Sequence, residues 1–381
     1  MVPAFEGSDT PDGSEPAPVA ARHDCPGRPA ASIRHSDPIE DRIYVPTEST
    51  CAMRLGALLP HLGDTDPLEL AIAAEEWGYD SVWLGELWGR SSVVTLTEIA
   101  SHTEDIGIGT AITNVYSRSP ATLAMTAATL DDVAEGRFTL GLGTSTQKAI
   151  EDLHGMDFAR PVRRAHEAIE LLQCFTSGES DRVRYDSEIF SVADFPPIDA
   201  DVPIYHAALG PANRRVVGRL CDGWLPHNIP FTDLDDAFEE IATAARERGR
   251  DPEAITVAPY VPAAVADEPA VAERAIKSHV AYYVGSAAGY RNAVGDRFPE
   301  ESEAIASAWK EGDRGEAAEV VTEEMVGTLG VCGTPEDARS QLEALYEETA
   351  IDYPLVILPQ QAADDLAAGT LEALAPLATG D

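Results

Sequence analysis

A short apolar run, a polar loop, a helix of small residues and a second apolar run follow one another within residues 106–145. This order predicts two parallel strands joined by a right-handed crossover, which restricts the chain to an α/β fold. The two strands end in residues suited to ligand contact, Thr113–Asn114 and Gly143–Ser145. Because parallel α/β folds bind ligands at the carboxyl ends of their strands, we expect one pocket to collect both loops.

The same alternation of strands and helices extends over most of the chain. Apolar runs that predict strands lie at 53–60, 81–85, 106–113, 138–142, 202–206, 223–225, 255–261 and 353–358. Eight strands in βα alternation predict a TIM (β/α)8 barrel, an α/β fold. Residues 267–330 have a mostly helical pattern and are too long for one crossover, so we expect a helical insertion after strand seven.

The chain before the barrel has a different composition. Residues 1–52 are rich in Pro, Ala, Asp, Glu and Ser and show no period of regular structure, which predicts a disordered extension. The pattern changes abruptly at Met53, where we expect the barrel to begin. The barrel is then expected to continue to about residue 376.

The charge of the chain restricts its partners. The sequence has 27 Lys+Arg against 66 Asp+Glu, a net charge of −39, and its only lysines are Lys148, Lys277 and Lys310. This excess predicts adaptation to molar salt, where screening removes self-repulsion, with an ordinary acidic protein as the alternative. So acidic a surface would repel nucleic acid and anionic membranes, so neither is expected as a partner.

Other sequence signals bear on location and partners. No apolar stretch is long enough to span a bilayer, and the N-terminus lacks a basic-then-apolar signal sequence, so we expect a cytoplasmic protein. The histidines and cysteines show no metal-ligand spacing, so no metal is expected. We expect a small-molecule substrate and a homo-oligomeric assembly.

Two motifs in the central stretch resemble a known superfamily. The runs Gly-Thr-Ala-Ile-Thr-Asn-Val-Tyr-Ser-Arg-Ser-Pro at 109–120 and Thr-Leu-Asp-Asp…Gly-Arg-Phe-Thr-Leu-Gly-Leu-Gly at 129–143 are similar to the luciferase-like superfamily. The similarity is to the branch that uses the deazaflavin coenzyme F420 and includes the methylenetetrahydromethanopterin reductases. It covers about residues 53–360 and implies a TIM barrel with the same late insertion. Members begin at such a first strand, which makes Met53 a candidate initiator.

The resemblance also implies an activity. Its members transfer hydride between F420 and an organic substrate, and a methylene-tetrahydropterin or a related one-carbon carrier is a candidate substrate here. An FMN-dependent monooxygenase on the same barrel is the alternative, and a flavin- or deazaflavin-binding protein without turnover is a further one. The methanopterin reductases carry a Glu in strand one where this sequence has Leu58, which counts against transferring their substrate.

The turn after strand five is suited to an anion. Gly210, Pro211, Ala212 and Asn213 open a helix, where free backbone N–H groups and the helix dipole favour negative charge. A plain βα turn is the alternative. The resemblance implies that this loop and the segment containing Thr144, after strand four, hold the phosphate of the cofactor.

The end of strand three carries a second expectation from the resemblance. In F420-dependent relatives this strand has a bulge with a non-prolyl cis peptide bond that presses on the deazaflavin ring. The motif places this bond between Ala111 and Ile112, just before Thr113 and Asn114. Without the resemblance, a plain strand end is the alternative.

Two residues are candidates for acid-base catalysis. Glu86 follows strand two, where many relatives have an Asp-His pair and this chain has Glu86-Leu87. Burial beneath a cofactor would favour its neutral form, which could donate a proton, whereas a solvated surface carboxylate is the alternative. His61, at the end of strand one, is the other candidate, with a hydrogen-bonded histidine at the barrel rim as its alternative.

Overall fold

The computed structural model describes residues 52–60, 65–179, 181–359 and 364–380. The candidate His61 lies outside these ranges, and so does the predicted extension apart from Ala52. The described part of the chain alternates strands and helices from one end to the other.

The strands are β1 Gly56–Leu58, β2 Ser81–Leu84, β3 Gly107–Thr110, β4 Thr113–Asn114, β5 Phe138–Gly143, β6 Val183–Asp186, β7 Ser191–Phe195, β8 Ile204–Ala207, β9 Gly223–Trp224, β10 Thr256–Val257, β11 Tyr260–Val265, β12 Val331–Gly333 and β13 Leu355–Ile357. The helices are α1 Pro67–Glu76, α2 Ser92–Ala100, α3 Pro120–Val133, α4 Pro161–Phe175, α5 Pro211–Leu220, α6 Leu234–Glu247, α7 Pro269–Ser286, α8 Ala288–Gly295, α9 Pro299–Glu311, α10 Arg314–Glu319, α11 Glu323–Leu329, α12 Pro335–Glu348 and α13 Asp364–Thr379.

The parallel strands close into a barrel. They pair in the order β10, β9, β8, β5, β3, β2, β1, β13 and β11, and β4 continues β3 along β5. Counted along the chain, barrel strands one to eight are β1, β2, β3 with β4, β5, β8, β9, β10 with β11, and β13. The seventh consists of two pieces, since β10 pairs with β9 while β11 pairs with β13. Between these two pieces, Ala258 N donates to Trp224 O and Leu355 N donates to Pro259 O, both at 2.9 Å. The predicted TIM barrel is confirmed.

Large rings opposite glycines fill the interior of the barrel. Trp83 and Tyr205 lie with ring centroids 5.9 Å apart and are almost fully buried. A Cβ on Gly109 would lie 2.2 Å from the Trp83 ring, and one on Gly223 would lie 2.6 Å from the Tyr205 ring. The strand glycines are therefore the complement of the interior aromatic side chains, as close packing requires.

The predicted insertion after strand seven is confirmed as helices α7 to α11. It has an apolar core of its own, formed by residues such as Ile276, Val284, Phe298, Ile305 and Met325. The chain then adds β12, which pairs in parallel with the far end of β11. This short strand is not predicted by the sequence pattern.

Two further elements are not predicted by the sequence pattern. Residues 176–201, between strands four and five, contain the antiparallel hairpin β6–β7, whose strands are mostly exposed and so lack an apolar pattern. The last helix, α13, follows strand eight and packs against the segments that precede β1 and β2. Met53 N donates to Leu377 O at 2.9 Å, and the Tyr79 hydroxyl donates to Leu371 O at 2.8 Å.

Candidate active site at the carboxyl mouth of the barrel

Strand three is interrupted by a cis peptide bond between Ala111 and Ile112, at the predicted position. The neighbouring strand holds both residues, because Ala111 N donates to Leu84 O at 2.8 Å and Glu86 N donates to Ile112 O at 3.2 Å. A Cβ on Gly85 would lie only 2.8 Å from Ala111 O. A glycine there lets strand two approach the interrupted strand.

Thr113 and Asn114 follow the cis bond and are buried at the mouth. Asn114 Oδ1 accepts hydrogen bonds from Tyr116 N at 3.0 Å and Ser117 N at 2.7 Å, which fixes the loop after strand three. The Thr113 hydroxyl oxygen is buried and has no hydrogen-bond partner among the described residues. It is therefore a polar group at the mouth that a ligand could satisfy.

Glu86 lies at the mouth but is ion-paired. Both Arg118 terminal nitrogens donate to its two carboxylate oxygens, one of them at 2.8 Å, and the Ser91 hydroxyl donates at 3.1 Å. The side chains of Arg118 and Glu86 are only 21% and 14% exposed. Burial raises the pKa of Glu86, but the Arg118 pair and the Ser91 bond outweigh it, so that the pKa is lowered overall. Glu86 is therefore held as a carboxylate by its counterion Arg118 in this structure, and its neutral form beneath a bound cofactor stays a prediction.

The loop after strand four approaches the same place. A Cβ on Gly143 would lie 3.0 Å from Ile112 Cδ1, so this glycine admits the side chain that follows the cis bond. Thr144 and Ser145 are partly exposed, and Ser145 has a left-handed backbone with φ of 58°. These two residues are available to a ligand at the mouth.

The helix start after strand five is open. Gly210 precedes α5, Pro211 and Ala212 are exposed in its first turn, and no side chain caps the helix. A Cβ on Gly210 would meet no atom within 4 Å, so the space in front of the helix is free. An anion could occupy this space and accept from the first-turn N–H groups.

A buried histidine that the sequence analysis missed supports Asn213. His206 Nδ1 lies 3.2 Å from Leu142 O, and His206 Nε2 lies 3.5 Å from Asn213 Oδ1. Burial lowers the pKa of His206 to about 4, although both contacts act in the opposite direction. The neutral ring therefore links strand four to the helix start. Its position in a strand between apolar neighbours gave no sign of this role.

The first turn of α5 contains no acidic residue, and neither do those of α2, α3 and α4. The short helix Ala149–Leu153, between α3 and α4, has two in its first turn, Glu151 and Asp152. In a chain of net charge −39, the first turn of α5 therefore adds no negative charge that would oppose an anion.

The segment 154–160 lies against the loop after strand three. His154 Nε2 is 3.2 Å from Asn114 Nδ2, and the Tyr116 hydroxyl donates to Ala159 O at 3.2 Å. The Tyr116 ring is stacked with that of Phe158 at 5.6 Å between centroids. This segment, which follows strand four, therefore covers part of the mouth.

A buried cluster of uncharged rings joins the barrel to the insertion. His227 follows strand six, and its ring lies 5.1 Å from that of Tyr260 and 4.4 Å from that of Tyr283, between centroids. His227 Nε2 lies 3.4 Å from His279 Nε2 on α7. Burial lowers the pKa of both histidines, to about 3 for His279. The insertion is thus held against the mouth by neutral groups.

In the described ranges, no three His, Cys, Asp or Glu side chains are grouped so as to hold a metal ion. Among the same residues, no helix combines the length and apolarity needed to cross a membrane.

The closed barrel and its ligand-suited mouth define a TIM-barrel protein with a site at the carboxyl ends of its strands. The model of the luciferase-like monooxygenase family matches residues 53–353, and the chain belongs to this family. It is an oxidoreductase.

Three similar proteins have broad overlap with the chain. A 5,10-methylenetetrahydromethanopterin reductase of Methanolobus tindarius is 32% identical over 279 residues, 72% of this chain and 84% of that protein. A Mycobacterium tuberculosis protein named as a coenzyme F420-dependent oxidoreductase is 30% identical over 336 residues, 80% of this chain and 94% of that protein. The solved F420-dependent tetrahydromethanopterin reductase of Methanopyrus kandleri has a TM-score of 0.72 at 26% identity, over 85% of this chain and 98% of that one.

Proposed function

We propose that this protein transfers hydride between coenzyme F420 and an organic substrate. The relatives described above are named as F420-dependent enzymes or methanopterin reductases and overlap most of the chain. The observation that carries the proposal is the open start of α5, which faces free space and has no acidic residue in its first turn. A phosphate-bearing cofactor fits such a site, because the helix start supplies N–H donors and a positive dipole end.

The residues that would hold the cofactor form two groups. Those suited to its phosphate lie after strands four and five, namely Gly143, Thr144, Ser145, Gly210, Pro211, Ala212 and Asn213. Those suited to its ring lie at the end of strand three, namely Ala111, Ile112, Thr113 and Asn114. When bound, a deazaflavin supplies a two-electron hydride carrier, because carbon replaces the reactive nitrogen of flavin. The chain would orient the ring against the substrate.

The substrate is the finer part of the proposal. A methylene-tetrahydropterin or a related one-carbon carrier is the first class to test, because two relatives carry such a substrate in their names. Leu58 lies at the end of strand one against the aromatic interior. Strand one therefore has no carboxylate at this position. This favours a substrate that does not depend on a carboxylate of strand one.

A spectroscopic titration tests the cofactor. Purified protein is titrated separately with F420 and with FMN while visible absorption and fluorescence are recorded. We expect saturable binding of F420 and much weaker binding of FMN. Stopped-flow oxidation of bound reduced F420 by methylene-tetrahydromethanopterin then tests the substrate. Preferential binding of FMN, or oxygen-dependent turnover with it, would favour the monooxygenase instead.

A further inference from the structure

The contact between Asn114 and His154 determines which nitrogen of the histidine carries the proton. Asn114 Oδ1 accepts from two backbone N–H groups, Tyr116 N at 3.0 Å and Ser117 N at 2.7 Å. A reversed amide would set its NH2 group against these two donors, so the orientation of Asn114 is fixed. The Nδ2 group therefore faces His154, and it can only donate.

His154 Nε2, 3.2 Å from Asn114 Nδ2, must accept this hydrogen bond. An imidazole that accepts at Nε2 carries its proton at Nδ1. Among the described residues, Nδ1 has no hydrogen-bond partner. The ring thus has one N–H group, at Nδ1, that has no acceptor among the described residues.

The surroundings of His154 are those of a surface that a ligand would cover. His154 is half-buried between Leu153 and Met156, which are 39% and 40% exposed. These are two of the few large apolar side chains left exposed in the described ranges. The residue next to Asn114 is Thr113, whose buried hydroxyl also has no partner there. The exposed apolar side chains on either side of His154 indicate a surface that a ligand could cover.

We propose that His154 is a catalytic hydrogen-bond donor to the substrate, through Nδ1–H, and that Asn114 is the positioning residue that fixes this tautomer. The proposal rests on the proposed function. It assigns to His154, after strand four, the imidazole that the sequence lacks at Leu87 after strand two. The substrate group concerned is a hydrogen-bond acceptor next to the carbon that exchanges hydride, such as a carbonyl oxygen or a nitrogen of a methylene-tetrahydropterin.

The role is electrostatic and transfers no proton from the ring. When hydride adds to the carbon of a C=O group, the π electron pair moves onto the oxygen. When hydride adds to the methylene carbon of a 5,10-methylene-tetrahydropterin, one of the two C–N bonds of that carbon breaks, and its electron pair stays on the released nitrogen. An N–H directed at that oxygen or nitrogen stabilises the added electron density in the transition state. Water supplies the proton that completes the alcohol or the amine. In the reverse direction, the same bonds break and form in the opposite order.

The tautomer is tested in the protein without cofactor. Asn114→Asp keeps the oxygen that Tyr116 N and Ser117 N require but replaces the donor to His154 with an acceptor. With 15N-labelled histidine, NMR should show protonation of His154 at Nδ1 in the wild type and at Nε2 in Asn114→Asp; loss of its signal in His154→Gln assigns it. Wild-type protonation at Nε2, or no change in Asn114→Asp, would overturn the assignment of Asn114.

The catalytic role is tested with F420 and methylene-tetrahydromethanopterin as probes. His154→Gln and Asn114→Asp should each lower kcat by roughly 10²-fold, the usual effect of one such donor, and the double variant should lose little more. In His154→Gln, F420 affinity and melting temperature should equal those of the wild type, whereas for Asn114→Asp, which changes a residue placed against the cofactor ring, kcat is measured at saturating F420. His102→Ala is the matched control, since this exposed histidine follows α2 at the opposite end of the barrel and should keep full activity.

The outcomes separate this proposal from the proposed function. Failure of wild-type protein to bind F420 would contradict the proposed function, whereas the tautomer result would stand by itself. Normal kcat in His154→Gln would overturn the catalytic role. A loss of F420 affinity with unchanged turnover of the bound cofactor would also overturn it, because His154 would then contact the cofactor.

Discussion

Glu86 shows how one counterion changes the chemistry of a carboxylate. The sequence predicts a buried acid at the barrel mouth. In the structure, Arg118 holds Glu86 as an anion with a lowered pKa. The pair joins the loop after strand two to the loop after strand three. We therefore interpret Glu86 as a residue that, with Arg118, holds the two loops of the mouth together.

The first prediction is for Glu86→Gln. The amide keeps the hydrogen-bonding atoms but leaves the Arg118 charge without its partner, so the free energy of unfolding should fall by about 1–2 kcal/mol. We expect turnover to fall less than tenfold, because a carboxylate whose pKa is lowered by an ion pair is a weak proton donor. Urea unfolding and steady-state kinetics measure the two effects. Arg118→Gln is the matched variant and should reproduce both. A turnover loss of roughly 10²-fold at unchanged stability would restore Glu86 as the general acid.

Buried histidines give a second prediction at the same scale. Burial lowers the pKa of His206 to about 4 and that of His279 to about 3, from an ordinary value of 6.5. As the pH falls below 6.5, the unfolded chain takes up protons that the folded protein does not. The free energy of unfolding should therefore fall between pH 6.5 and about 4 because of His206. The expected loss is about 3 kcal/mol, since one pKa unit corresponds to about 1.4 kcal/mol.

Unfolding in urea across this pH range measures the effect. In His206→Asn, which does not titrate, stability should be lower at pH 7 but should decline less steeply on acidification. Equal slopes for the two proteins would show that His206 is not the source of the loss.

At the scale of elements, the helix start after strand five offers a third prediction. Gly210 has ordinary backbone angles, φ of −89° and ψ of 160°, and open space around its Cβ position, so Asp or Asn can replace it without a clash. Both would cap α5 equally well, and they differ by one charge. Gly210→Asp should bind F420 roughly tenfold more weakly than Gly210→Asn, since its carboxylate opposes the cofactor phosphate.

The comparison is made by fluorescence titration at low salt, with melting temperatures to confirm that both caps are tolerated. Equal F420 affinities for the Asp and Asn variants would show that the cofactor phosphate does not bind at the start of α5. Because the two variants share size and capping, a difference between them isolates the charge.

The elements that the sequence predicts are those with an apolar pattern of their own. The barrel strands are continuous apolar runs because both of their faces are buried, and the helices between them start at Pro and capping residues such as Ser119 and Thr334. The hairpin β6–β7 lacks such a pattern. Its turn depends instead on the buried Glu167 of α4, which accepts from Ile189 N and Phe190 N. No local pattern reveals a contact across more than twenty residues.

The same distinction, between features with a local sequence pattern and contacts between distant residues, applies to the site. The positions of the mouth loops and the cis bond at Ala111–Ile112 could be predicted, because strand ends and a family motif locate them. The partners of individual side chains could not. Arg118 meets Glu86 across 32 positions, and His154 meets Asn114 across 40. Only the folded barrel brings these loops together. The charge state of a site residue such as Glu86 depends on the partner that the fold places beside it.

At the scale of the whole molecule, acidic charge is the dominant feature. The net charge is −39, and several of the ion pairs involve largely exposed side chains, such as Lys148–Asp152 and Arg246–Glu239. Exposed pairs of this kind contribute little to stability. We therefore expect dissolved ions to screen the repulsion among the excess carboxylates.

The last prediction concerns salt. Two carboxylates 10 Å apart in water repel by about 0.4 kcal/mol without screening, and the sum over so many pairs is comparable to the whole stability of a domain. The screening length falls from about 10 Å at 0.1 M salt to about 3 Å at 1 M. The melting temperature should therefore rise steeply with potassium chloride up to molar concentration, and activity should be lost at low salt. Sucrose at matched osmolarity is the control, because it stabilises compact states without screening charge. A melting temperature that does not depend on salt, or that sucrose raises equally, would show that the acidic surface is not an adaptation to salt.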